Sequence, residues 1–78
     1  MPTLSDVKVG QKCVVSKLTD EGAIKRRIMD MGVTKNTEVL VHKVAPLGDP
    51  IEVTIRGYEL SLRKDEARCV EVKDVTKA

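Results

Sequence analysis

Aromatic side chains are almost missing from this chain: Tyr58 is the single one among 78 residues, and there is no Phe or Trp. Surfaces that stack nucleic-acid bases, and grooves that dock proline-rich peptides, are built from several aromatic rings. This chain cannot supply them. Long apolar runs are missing too. The longest is three residues, as in Val39-Leu40-Val41, against about 20 for a bilayer-spanning helix. No apolar segment near the start has the length of a signal-peptide core, so the chain is expected to be cytoplasmic, with no membrane insertion. Cysteine is scarce, and in that compartment Cys13 and Cys69 are expected to be reduced thiols. Neither sign of charge dominates: 14 basic and 12 acidic residues leave +2. The longest basic block is Lys25-Arg26-Arg27, which is no basic arm.

The length sets a further limit. A domain of 78 residues buries only about 60% of the surface its unfolded chain exposes. One core fits, and a large enclosed substrate pocket does not.

What the chain does have is Val, Ile and Leu in short alternating runs, the pattern of a folded β-rich domain. Residues 11–18 read as a first strand, in which Cys13, Val15 and Leu18 share a face only if the strand carries a bulge. Asp20 suits a helix N-cap and Glu21 a first turn. Residues 21–31 then read as a helix with an apolar stripe of Ile24, Ile28 and Met31, leaving Lys25, Arg26 and Met29 on the far side. Gly32 fits the left-handed position after the helix, with Val33 closing the cap. Residues 37–44 turn Val39 and Val41 to one face, Leu40 and His42 to the other. Residues 51–56 turn Ile51, Val53 and Ile55 inward. Tyr58, Leu60 and Leu62 share a face of a fourth strand. Lys64-Asp65-Glu66-Ala67 reads as a single helical turn, and residues 69–73 as a last strand with Val70 and Val72 inward and Cys69 outward. Thr3-Leu4-Ser5-Asp6 is expected as a turn, and the polar tail from Asp74 is expected to fray. The prediction is a mostly β chain with one short α-helix. A single domain occupies residues 1–78, with its core over roughly 4–73. Five short strands hide their edges best by curling into a small barrel.

The chemistry-bearing residues are sparse. Cys13, His42 and Cys69 are the possible soft metal ligands. Structural zinc takes four, often in close pairs, whereas these three are scattered. A core thiol, a surface thiol and a strand histidine account for them, and no metal or cofactor is expected. There is no P-loop, no G-x-S-x-G and no H-E-x-x-H. Asp65 and Glu66 are adjacent carboxylates that do not converge on a helical turn and read as solvated. No enzymatic activity is expected. Lys25-Arg26-Arg27 reads as a solvated helix face rather than a phosphate patch, with Arg27 close to the apolar stripe. Leu47 has two readings, because Pro46 and Pro50 stiffen the turn that carries it. It is either a small binding knob or a cap folded back over the barrel.

Three segments together carry a resemblance. Ala45-Pro46-Leu47-Gly48-Asp49-Pro50-Ile51 matches the A-P-L-G-D-P-I signature of the FeoA family. Arg27 to Val33 resembles its R-L-x-x-L-G-hydrophobic helix end. Leu62-Arg63 with Glu66-Ala67 resembles its L-R-x-x-E-A segment. The likeness runs over roughly residues 4–73. Where the family often has Pro-Gly after the helix, this chain has Lys35-Asn36, and Asn tolerates positive φ. The resemblance implies an SH3-like barrel. It also implies an accessory or regulatory role in ferrous-iron transport beside FeoB, a ferrous-iron transporter with a cytosolic G domain. The same domain type closes some iron-dependent repressors, where it binds protein rather than DNA. The residues expected to contact a partner are Pro46, Leu47, Gly48 and Asp49 of the turn, and Lys25, Arg26 and Met29 of the helix. The competing functions are a small nucleic-acid-binding barrel and a carrier that binds metal directly.

Overall fold

Clean alternation at Ile51, Val53 and Ile55 produces an interior strand of the sheet, buried on one face at all three positions. The computed structural model describes residues 2–19 and 22–78. Its strands are β1 (Gln11–Leu18), β2 (Glu38–Val44), β3 (Ile51–Ile55), β4 (Tyr58–Leu62) and β5 (Val70–Lys77). Helix α1 (Ala23–Asp30) follows β1, and the one-turn helix α2 (Lys64–Ala67) links β4 to β5. All strand pairings are antiparallel, in the order β4-β3-β2-β1-β5. Among the described residues no ladder joins β4 to β5, so the curled sheet is partly open on the side that α2 spans.

The core is the concave side of that sheet. Val15, Val39, Val41, Val53, Ile55, Leu62, Val70 and Val72 fill it from five strands, and Ile28 and Val33 close it from α1 and its cap. The bulge expected in β1 is present. Val15 pairs with Val72 and Lys17 with Glu71, so Ser16 is the extra residue. The extra residue restores the inward phase, and Leu18 packs against the core beside Cys13 and Val15.

The end of α1 forms as the sequence indicates. Gly32 has φ 98°, and the amides of Gly32 and Val33 donate to the carbonyls of Met29 (2.9 Å) and Ile28 (3.2 Å). This is the paired bonding of a glycine-terminated helix. Asn36 has φ 69°, the conformation expected of it where the family has glycine. The start of α1 is shorter than the predicted 21–31. Gly22 is its N-cap, and Asp20 and Glu21 lie outside the described residues.

The expected turn at Thr3–Asp6 forms: residues Leu4–Asp6 are a 3₁₀ turn, held by the Thr3 amide donating to Asp6 Oδ2 at 2.9 Å, and Leu4 is fully buried. Two expectations need correction. The tail does not fray: β5 runs to Lys77, which pairs with Gln11 across a bulge near Asp74 (φ 54°). With Val75 its single apolar residue, itself exposed, the 74–77 segment gives a hydrophobic-pattern reading little to find, yet the backbone groups of Gln11 and Lys12 need partners. Ile24 is exposed, because the helical stripe reaches the core only through Ile28 and Met31. Tyr58 shares the face of Leu60 and Leu62, as expected, and is exposed at the start of β4, where its hydroxyl donates to the Met31 carbonyl at 2.8 Å.

Candidate partner-binding surface

The turn between β2 and β3 is held at three points. Pro46 presets the first central position of a β-turn, and the Gly48 amide closes it onto the Ala45 carbonyl at 2.8 Å. The Ala45 amide donates to the Pro50 carbonyl at 3.1 Å. Asp49 Oδ1 accepts from the Lys64 amide at 3.0 Å, capping the first turn of α2 from outside the helix. Leu47 sits at the tip and is 94% exposed. It does not fold back over the barrel. Gly48 and Asp49, expected as contact residues, also hold the turn in shape, and Pro46, Leu47, Asp49 and Pro50 are all exposed.

On α1 the expected residues divide. Arg26 and Met29 are exposed, but Lys25 is half-buried rather than fully solvated. Arg27 leaves the helix toward α2, where its Nε lies 3.3 Å from Glu66 Oε2. Glu66 is therefore not the solvated carboxylate that its neighbour Asp65 is. It is buried, and its Oε1 also accepts from the Arg63 amide at 2.9 Å. The signal for this was its place three residues after the N-cap, where a Glu reaches back to the cap amide.

These bonds also separate the two sets of candidate contacts. The Leu47 turn adjoins α2 through Asp49, and α1 faces α2 through Arg27. Lys25 and Met29 stand about 160° and 200° around the helix from Arg27, on the side turned away from α2. Leu47 and Met29 thus belong to different surfaces rather than one patch.

The candidate metal ligands are not brought together. Cys13 is fully buried, and burial, with Glu38 nearby, pushes its thiol up to about 11. Cys69 is not an outward strand residue. It follows α2 just before β5, is half-buried against the core, and its thiol donates to the Asp65 carbonyl at 3.5 Å. His42 is the extra residue of a second bulge, in β2, with Nε2 3.3 Å from Glu59 Oε1. Among the described residues no three His, Cys, Asp or Glu side chains form a group that could hold a metal ion. No helix among them is long and apolar enough to cross a membrane.

Comparison with known proteins bears on family and fold. Over 70 residues, 90% of the chain, the sequence is 33% identical to the Fe(2+) transport protein A/Fe(2+) transporter FeoB fusion protein of Porphyromonas gingivalis, and it spans 8% of that protein's length. The FeoA-like protein from Clostridium acetobutylicum has 42% identity and a TM-score of 0.86, over 91% of this chain and 83% of that one. Stenotrophomonas maltophilia FeoA, an SH3 domain protein complexed with zinc, has 29% identity and a TM-score of 0.87, over 99% and 98% of the two chains. The fold is therefore SH3-like, as expected. The FeoA domain family model matches residues 3–74, nearly the whole chain, and the chain belongs to the FeoA domain family.

Proposed function

We propose that this chain is a cytosolic accessory module of ferrous-iron transport that works by binding the cytosolic part of a FeoB-type transporter. The observation that carries the reading is the fusion in P. gingivalis, where a segment alike over 70 residues is joined to FeoB in one polypeptide. Two domains carried on one chain act in the same process, and on this reading the FeoA-type domain meets its transporter by direct contact. Ferrous ion is on this reading the transporter's cargo, and the module itself performs no reaction.

Leu47 is the contact that the geometry favours. A turn stiffened by two prolines loses little entropy when an apolar tip is clamped by a partner. Near-neutral charge and a single aromatic residue weigh against nucleic acid, and the dispersal of Cys13, His42 and Cys69 weighs against metal carriage. The test is capture of the transporter's separately produced cytosolic part on the immobilised chain. Retention that resists 150 mM salt supports the proposal. No retention under conditions where both proteins are folded overturns it.

A further inference from the structure

The side of α1 turned away from α2 borders an open groove of about 400 Å³. Leu18 and Met29 supply its apolar surface, and Lys17, Lys25 and Lys35 stand around it. None of its lining residues among those described is acidic. None of the three lysines forms an ion pair among the described residues, whereas Arg27, Arg68 and His42 all find carboxylates. In a chain whose charges nearly cancel, this is a cluster of three lysines, without an ion pair among the described residues, beside an adaptable apolar side chain.

We infer that this groove binds an acidic peptide segment bearing a bulky apolar side chain. The apolar side chain sits on Met29 and Leu18. A thioether side chain reshapes itself to fit such a group, and Lys25, half-buried, lays its stem along the groove with its ammonium outward. Lys17 and Lys35 then face the segment's carboxylates, which gives orientation and speed of encounter as much as affinity. A nucleic acid would need aromatic faces that the groove lacks. A lipid surface is flat, and would meet the rim lysines without reaching Leu18. The inference deepens the reading above, since it takes the chain to be a protein-binding module. It uses a surface distinct from the Leu47 turn, so the two can fail separately.

The experiment is NMR titration of the full chain with a synthetic 12-residue peptide of alternating Glu and Leu. A Lys/Leu peptide, a Glu/Ser peptide, phosphatidylglycerol vesicles and a single-stranded oligonucleotide are the comparators. The Met29 methyl and the amides of Lys17, Lys25 and Lys35 should shift with the Glu/Leu peptide alone, less so as salt rises. Lys17→Glu with Lys35→Glu should weaken binding at least about ten-fold, and Lys17→Arg with Lys35→Arg should not. Leu47→Asp should leave it unchanged. Equal shifts with the Lys/Leu or Glu/Ser peptide, stronger binding of vesicles or oligonucleotide, shifts confined to the 45–50 turn, or no shift at millimolar peptide would each overturn the inference.

Discussion

Arg27 of α1 and Glu66 of α2 meet at 3.3 Å, and the carboxylate is buried while the arginine side chain stays 64% exposed. One carboxylate thus does two things: it closes the cap of α2 through the Arg63 amide and ties α2 to α1. The cap is the sheltered half, and the ion pair is screened by water. Glu66→Ala should therefore destabilise by about 1–3 kcal/mol, and Arg27→Ala by less than about 1 kcal/mol. Glu66→Gln, which keeps an acceptor for the Arg63 amide, should fall between them. Denaturant melts of the three variants give the order, and a Gln variant as unstable as the Ala variant would show that the charge matters more than the cap.

Gly32 is constrained twice, by φ 98° and by the Tyr58 hydroxyl, which a methyl group at residue 32 would strike. Gly32→Ala should cost about 1–3 kcal/mol. Adding Tyr58→Phe removes the oxygen in the way, so the double variant should lose less than the sum of the two single losses. A double-mutant cycle measures this coupling. Strict additivity would mean that backbone conformation alone sets the cost.

Burial holds the Cys13 proton on until about pH 11, against 9.0 for an exposed thiol. Between these values the unfolded chain releases a proton that the folded chain keeps. Stability is therefore intact below about pH 9 and falls as pH rises toward 11, by on the order of 2 kcal/mol. Cys13→Ala should be less stable at neutral pH, through the lost packing, but should show a flatter decline above pH 9. Thiol-reagent labelling of the folded protein should reach Cys69 well before Cys13. Equal rates would contradict the buried placement of Cys13.

Stoichiometric ferrous ion under anaerobic, reducing conditions should leave the NMR spectrum nearly unchanged, because Cys13, His42 and Cys69 do not converge. Saturable shifts centred on those three residues would favour direct metal carriage instead.

The parts of the fold that were legible in the sequence are those with one buried face. Ile51, Val53 and Ile55 announce β3 by alternation, and Ile28, Gly32 and Val33 announce the end of α1 by spacing and a left-handed glycine. Leu47 was recognisable as a turn residue, but only the structure shows that it does not fold back over the barrel. What stayed hidden depends on partners distant in sequence. The 74–77 segment has no buried face, with Val75 itself exposed, and is held by pairing with β1. Glu66 looks solvated until Arg27, 39 positions earlier, is brought to it. Lys17, Lys25 and Lys35 are scattered charges in sequence and share one groove only once β1, α1 and the following loop have packed.

Leu47→Asp separates fold from function at the contact proposed for the transporter. The side chain is 94% exposed, so the variant should melt within about 4 °C of the parent. Calorimetric titration against the transporter's cytosolic part should then show binding weaker by about 1–3 kcal/mol, the loss of a modest interface anchor. A variant that folds like the parent and binds with unchanged affinity would contradict the assignment of Leu47 as the partner contact.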